Sequence, residues 1–278
     1  MTRSYSQRAG RPDRLVVIDC ETIAPPAPDN GFPPWPLHDI IVTSLLSATR
    51  ERYGQWQFEL ETVDFLSDPA TAIERVSYLL EGRTVIGFNS AGFDIPLLAI
   101  TAMKHQRSDL VGISSAWQSH RYSGKSYDVA DIVSGYGAAR GGNLERLCGA
   151  LKIPAKFDCH GDQVAELLAQ GQHKKIADYC ETDCCATLFL FAMVEGLRST
   201  DAGYTASLIS QCSRWIADSG LAHLKAFERI PGSGEFDRQS LLAILGEGIA
   251  SLDHRQHLQF VNKVPGQSGL TIQSASDF

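Results

Sequence analysis

Two acidic side chains, Asp19 and Glu21, stand two positions apart at the end of a short apolar run over residues 15–18. The run predicts a buried β-strand, and alternate side chains of a strand share one face. We therefore expect both carboxylates on one face and Cys20 on the other. Two converging carboxylates are hard oxygen ligands that suit Mg²⁺ or Mn²⁺. Taken alone, the pair is better explained by two solvated acids at the start of a loop.

A second polar patch runs from Asn89 to Asp94 and follows another predicted strand. Asp94 is expected at the start of a helix, where a carboxylate is a good cap. It is therefore either a capping residue or a further carboxylate of a metal site. Phe93 beside it either packs in the core or offers its ring for stacking on a terminal base.

A third patch places Tyr179 and Asp183 in a strongly helical stretch. Residues four apart on a helix share a face, so the phenol and the carboxylate project to the same place. Asp183 could complete a set of metal ligands, and Tyr179 could orient an attacking water. The alternative is a tyrosine packed on the core and an exposed aspartate. Three such patches in this order favour one shared site over three unrelated features.

The elements that must position these patches follow from the apolar pattern. Strands are predicted over residues 15–18, 39–48, 55–62 and 84–89. Helices are predicted over residues 69–82, 94–105, 143–151, 161–169 and 173–197. Residues 129–133 fit either type, and the polar stretch 112–126 is predicted to be a long surface connection. A sheet followed by helices indicates an α/β layered domain.

The chain divides into three predicted regions. Residues 1–14 form a basic tail, residues 15–200 form the α/β domain, and residues 201–278 form an extension that is helical and then irregular. The extension carries no motif and offers a place for a protein partner. The division therefore assigns all three acidic patches to the central region.

Composition limits the class of protein. The 278 residues are 44% hydrophobic and contain no apolar run long enough to span a membrane. Seven cysteines without a Cys-x-x-Cys pair favour a reduced, cytoplasmic protein. A net charge of −7 argues against a nonspecific nucleic-acid coat protein, although it leaves room for an enzyme that acts on nucleic acid.

Together the three patches resemble the DEDD superfamily of 3′-to-5′ exonucleases, whose motifs read Asp-x-Glu, Asn-x-x-x-Phe-Asp, and Tyr or His followed by Asp. The histidine subfamily needs a His five residues before the last Asp, where this chain has Asp178. The chain is therefore similar to the tyrosine subfamily, DEDDy. Residues between the motifs resemble predicted exonucleases related to the proofreading domain of family B DNA polymerases: Arg121-Tyr122, Tyr127-Asp128-Val129, Gly142-Asn143-Leu144 and residues 151–156, 161–164 and 176–183. A longer proline-rich segment over residues 24–37 departs from that pattern.

This resemblance implies an RNase H-like mixed β-sheet flanked by α-helices, with the site at the strand ends. It also implies two divalent cations, Mg²⁺ or Mn²⁺, as cofactors. By the resemblance, the first metal is held by Asp19, Glu21 and Asp183. Asp19 also binds the second metal, and Asp94 contributes through that metal or its waters.

The implied substrate is the 3′ end of a single-stranded nucleic acid, with DNA favoured over RNA and nucleoside 5′-monophosphates as products. Tyr179 would orient the water, and the implied substrate contacts are Asn89, Phe93 and Lys156. Two other interpretations stay open: an exoribonuclease, and a catalytically silent module of the same fold that binds nucleic acid or a partner. A missing carboxylate would favour the silent module, and all four carboxylates are present.

Other polar groups have simpler explanations. Cys180, Cys184 and Cys185 could form a thiolate metal site, but small buried core residues are favoured. Asp128 and Asp131 are expected to be caps or surface acids. A groove for a phosphate backbone could be lined by basic residues, which are more often simply solvated: Arg140, Lys152, Lys156, His173, Lys174 and Lys175.

Overall fold

The computed structural model describes residues 12–26, 33, 36–119, 125–155 and 161–261. In this part of the chain, five strands form one sheet in the order β3-β2-β1-β4-β5. The strands are β1 (Arg14–Ile23), β2 (Asp39–Arg50), β3 (Trp56–Asp64), β4 (Thr84–Gly87) and β5 (Ser126–Asp128). Strand β2 runs antiparallel to β1 and β3, whereas β1, β4 and β5 are mutually parallel. This is the RNase H-like mixed sheet, and the predicted fold class is confirmed.

Helices cover both faces of the sheet. They are α1 (Pro69–Leu80), α2 (Asp94–Lys104), α3 (Val111–Trp117), α4 (Val129–Val133), α5 (Leu144–Leu151), α6 (Val164–Ala169), α7 (His173–Ser199), α8 (Ala202–Ser219) and α9 (Ser233–Val261). Helix α1 begins where the sequence predicts. Its N-cap Asp68 accepts hydrogen bonds from the backbone N–H groups of Ala70 and Thr71, and Pro69 occupies the first helical position.

Strand β1 lies between two hydrophobic layers. Val16 and Ile18 point into a core shared with α1, α2 and α3, whereas Leu15 and Val17 point into a core shared with α7 and α8. A strand buried on both faces needs apolar side chains at consecutive positions, which explains the unbroken run at residues 15–18. The same placement fixes β1 at the centre of the sheet, so that Asp19 and Glu21 emerge between the layers.

The stretch predicted to be a surface connection contains helix α3 and the start of β5. Ile113 and Ala116 are buried against the core around α1. Helix α3 approaches α1 closely, because the Ser77 hydroxyl lies within hydrogen-bond reach of the backbone N–H groups of Gly112 and Ile113, at 3.1 and 3.4 Å. A seven-residue helix rich in serine carries too weak a hydrophobic period to be recognised from sequence.

Gly112→Ala is expected to destabilise the protein by about 3 kcal/mol, because a Cβ there would lie 1.9 Å from the Ser77 carbonyl oxygen and the backbone cannot move aside cheaply. Chemical denaturation measures the change. Gly149→Ala is the matched control, since nothing lies within 4 Å of a Cβ added at this position in α5. Alanine in a helix interior is about 1 kcal/mol better than glycine, so the control should gain stability. Equal stability of Gly112→Ala and the wild type would contradict the close approach of the two helices.

The hydrophobic core continues past residue 200. Tyr204 and Leu208 of α8 belong to the same buried cluster as Phe189 of α7. The Tyr204 ring packs edge-on against Trp56, with the ring centroids 5.8 Å apart. Helix α9 is tied to strand β2 by the Arg50–Glu247 ion pair. The division of the chain at residue 200 stays a prediction. Residues 1–11 of the basic tail and residues 262–278 lie outside the described part.

Candidate metal centre

The acidic patches meet at one edge of the sheet. Strands β1, β4 and β5 are parallel, so their carboxyl ends lie together. Strands β1 and β5 contain acidic side chains there, and Asp94 follows β4. Asp19 pairs with Ser44 of β2, and the register of the β1–β2 ladder shifts directly after Glu21. Glu21 is only 7% exposed, and its carboxylate lies within 4.8 Å of that of Asp19. The structure thus brings the first pair together on one face, as predicted.

Asp94 lies against the same segment of β1. It is the first residue of α2, where Phe93 is the N-cap and no side chain caps the helix. The Asp94 carboxylate instead accepts a hydrogen bond from the backbone N–H of Cys20, at 2.9 Å. It is 5% exposed, and burial raises its pKa to about 7. The side chain thus bonds to the strand between Asp19 and Glu21, and it also bonds to its own N–H at the start of α2, so both interpretations stay open.

Asp128 holds the turn that delivers Asp94. Its carboxylate accepts hydrogen bonds from the backbone N–H groups of Asn89 and Ala91, each at 3.0 Å. It also caps α4 by accepting from Asp131 N–H, so the expected capping role is confirmed. Asn89 adopts a left-handed φ of 60° and is exposed. The added role of Asp128 in the turn was not predicted, because its hydrogen bonds reach residues 37 and 39 positions away in the sequence.

The third patch reaches the site from helix α7. Tyr179 and Asp183 lie on one face of α7, are hydrogen-bonded to each other and are both buried, with Asp183 6% exposed. Burial raises the pKa of Tyr179, and the neighbouring carboxylates of Asp183, Glu21 and Asp19 raise it further. The phenol is therefore protonated at neutral pH and acts as a hydrogen-bond donor. The exposed aspartate of the alternative interpretation is not what the structure contains.

Cys180 is a site contact that the sequence did not indicate. Its Sγ donates to the backbone carbonyl of Asp19 at 3.2 Å and lies 3.3 Å from Asp19 Oδ2. Burial raises the pKa of Cys180, so the group is a neutral thiol. Cys184 likewise donates to the Ser44 carbonyl at 3.3 Å, and Cys185 is fully buried. The three cysteines are buried core residues, which is the interpretation that the sequence favours.

The groove of basic residues stays a prediction. All of those described are exposed: Arg140, Lys152, His173, Lys174 and Lys175. Lys174 pairs with Asp178 at 2.7 Å. Lys156 lies outside the described residues, so its predicted contact with substrate stays a prediction.

A second acidic group on α7 contacts a histidine, and the ligand atoms of the three residues lie within 4.8 Å of one another. Asp178 and Glu181 face His223 of the 3₁₀ segment Ala222–Glu228, with His223 Nδ1 3.4 Å from Asp178 and Nε2 2.7 Å from Glu181. The other oxygen of Glu181 accepts from the Thr62 hydroxyl at 2.7 Å. These contacts tie the segment after α8 to α7 and β3.

The donor chemistry of the centre fits a hard divalent cation. Three elements supply its carboxylates, and Glu21, Asp94 and Asp183 are all nearly inaccessible to solvent. The carboxylates of Asp19 and Glu21, within 4.8 Å of each other, repel when both are ionised, and a divalent cation relieves both the repulsion and the lost hydration. Asp19 and Glu21 lie close enough to share such an ion, and the roles of Asp94 and Asp183 as further ligands stay predictions. Cys180 adds a softer sulfur within 4.8 Å of the first two.

A comparison with known families identifies the class of protein to which this fold and its acidic centre belong. Residues 30–230, more than half of the chain, match the family described as "Predicted 3′-5′ exonuclease related to the exonuclease domain of PolB". The chain belongs to this family. The matched range includes Asn89, Asp94, Tyr179 and Asp183, whereas Asp19 and Glu21 precede it.

Among solved structures, the chain is similar to the family B DNA polymerase from the hyperthermophilic archaeon Pyrobaculum calidifontis. The similarity has a TM-score of 0.46 and 17% sequence identity, and it covers 72% of this chain and 26% of the polymerase. The chain thus spans about a quarter of that polymerase. No curated protein matches the sequence. Within the described residues, every helix is too short or too polar to serve as a membrane span.

Proposed function

We propose that this protein is a metal-dependent 3′-to-5′ exonuclease of the tyrosine subfamily that digests single-stranded nucleic acid, with DNA favoured. The observation that carries the proposal is the convergence of three separate chain segments on one buried acidic centre. Asp19 and Glu21 lie together, Asp94 bonds to the Cys20 N–H between them, and Tyr179 joins Asp183 to the other carboxylates. Membership in a family of predicted exonucleases supports the same activity.

Each side chain has a proposed role. Asp19, Glu21 and Asp183 would hold a first divalent cation, and Asp19 and Asp94 would hold a second one, directly or through water. When bound, Mg²⁺ or Mn²⁺ would lower the pKa of a water and neutralise charge on the phosphate and the leaving 3′ oxygen. The Cys20 N–H orients Asp94 by donating a hydrogen bond to its carboxylate, and the Cys180 thiol lies 3.3 Å from Asp19 Oδ2.

Tyr179 positions the attacking water and is not the nucleophile. Its pKa is raised, so the phenol stays neutral; its one O–H donates to Asp183, and its oxygen accepts a hydrogen bond from the attacking water. The hydrogen bond to Asp183 fixes the direction of the hydroxyl. The water attacks phosphorus, the bond to the 3′ oxygen breaks, and a nucleoside 5′-monophosphate leaves. A well-oriented water contributes through proximity and alignment.

The proposed substrate contacts are Asn89, Phe93 and Lys156. Residues 201–278 are proposed to bind a protein partner. Six described cysteines are free and buried, which supports the proposed cytoplasmic location. Residues 15–200 are proposed as the exonuclease domain. The exposed leucines Leu241, Leu242 and Leu245 of α9 support a contact surface in the extension.

The test is digestion of a 5′-labelled single-stranded oligodeoxynucleotide with Mg²⁺, Mn²⁺ or EDTA. We expect a ladder that shortens from the 3′ end, nucleoside 5′-monophosphates as products, and no reaction in EDTA. RNA and a duplex with a mismatched 3′ end, run alongside, measure the preference for DNA and for unpaired ends. Binding of the oligonucleotide without any digestion in either metal would favour the catalytically silent module and overturn the proposal.

A further inference from the structure

His38 lies beside the metal centre, at the residue before β2, and is 5% exposed. Its Nε2 lies 3.0 Å from the Pro33 carbonyl oxygen, and its Nδ1 lies 3.1 Å from the Thr22 hydroxyl. A carbonyl oxygen only accepts hydrogen bonds, so Nε2 carries the hydrogen. Nδ1 and the Thr22 hydroxyl share the second hydrogen bond. With both nitrogens bonded, the ring plane is fixed.

The fixed ring sets the orientation of Phe93. The two rings meet edge to face, with centroids 5.0 Å apart and an angle of 82° between their planes. Edge-to-face contact is a preferred geometry for aromatic pairs, because the positive edge of one ring meets the negative face of the other. Phe93 is the residue before Asp94, and Thr22 is the residue after Glu21. His38 therefore connects the two carboxylate segments of the site through an aromatic contact.

We propose that His38 is a positioning residue that holds Phe93 as a stacking surface for the 3′-terminal base of the substrate. This inference rests on the proposed exonuclease function. Phe93 is partly exposed at the edge of the core. An aromatic ring whose orientation is set before binding loses less conformational freedom when a base stacks on it. Stacking tolerates every base, so the surface recognises an unpaired end without regard to sequence.

The test compares two single-stranded oligodeoxynucleotides that differ only in the 3′-terminal residue, which carries a base in one and is abasic in the other. Base stacking on an aromatic side chain changes affinity by roughly 5- to 150-fold. Loss of the fixed orientation of the Phe93 ring should reduce affinity by a smaller factor. We expect His38→Ala to raise KM for the base-bearing end by about fivefold, with kcat changed less than about twofold. KM for the abasic end should stay unchanged. Phe93→Ala should act in the same way, and the double variant no more strongly.

Two further variants keep the inference decidable. Thr22→Val retains the histidine but removes the hydroxyl bonded to Nδ1, so it should cause a smaller rise of KM for the base-bearing end even if His38→Ala folds poorly. His105→Ala, at an exposed histidine at the far end of α2, should change neither substrate. An equal loss on both ends, or additive effects of His38→Ala and Phe93→Ala, would overturn the inference. A wild type that digests neither oligonucleotide would instead overturn the proposed function.

Discussion

Asp183→Ala is expected to lower kcat/KM for oligonucleotide digestion in Mg²⁺ by at least about a thousandfold. The substitution removes a buried carboxylate that is proposed to bind the first cation, and it leaves Tyr179 without its hydrogen-bond acceptor. A catalytic metal contributes several kcal/mol of transition-state stabilisation, and each 1.4 kcal/mol is about a factor of ten in rate. Initial rates on a 3′-labelled oligonucleotide at several Mg²⁺ concentrations measure the loss. Because the ligand itself is gone, higher Mg²⁺ should restore only part of the activity.

Two variants on the same helix calibrate this loss. Tyr179→Phe keeps the ring and removes only the hydroxyl, so it should cost about 10- to 100-fold, mostly in kcat. Asp178→Asn is the control, since Asp178 pairs with Lys174 and His223 and lies outside the acidic centre. It also occupies the position of the histidine in the other subfamily. Full activity of Asp183→Ala, or an equal loss in Asp178→Asn, would contradict the site assignment.

The central strand and the site helix could be predicted because their signals are local. The apolar run of β1 leads into alternating Asp19 and Glu21, and the spacing of Tyr179 and Asp183 places both on one face of α7. The observed strand is longer than predicted, since β1 continues to Ile23 by pairing with β2. Ladder pairing depends on a partner strand, so the sequence of β1 alone does not reveal where it ends.

The contacts that could not be predicted join residues far apart in the sequence. Cys180 reaches Asp19 across 161 positions, and Cys20 N–H reaches Asp94 across 74. His38 follows a proline-rich segment whose own pattern predicts only irregular structure. Helix α3 depends on a close approach at Gly112 that exists only once α1 has packed. In each case the partner residue comes close only in the folded protein, so local sequence propensity does not indicate the contact.

The same burial that assembles the centre determines how it responds to pH. An aspartate in water has a pKa near 3.8, whereas burial raises that of Asp94 to about 7. Between these values the folded protein without metal holds a proton that the unfolded chain has released. The contribution of Asp94 to the free energy of unfolding therefore falls as pH rises from about 4 to about 7. A cation binds the ionised form of the Asp94 carboxylate. Metal binding therefore stabilises the folded protein most at a pH where Asp94 has lost its proton.

We expect the affinity for Mn²⁺ to be nearly constant above pH 7 and to fall by about tenfold per pH unit below it, or about a hundredfold between pH 7 and 5, if one proton is displaced. Calorimetric titration measures the affinity, and the Mn²⁺-induced rise in Tm should be larger at pH 8 than at pH 5.5. Asp109→Asn is the control, because the Arg107 hydrogen bond lowers the pKa of Asp109 to about 2. Asp94→Asn should bind Mn²⁺ more weakly and with a flatter pH profile. An affinity that is flat from pH 5 to 8 in the wild type would contradict the assignment of Asp94 to the metal centre.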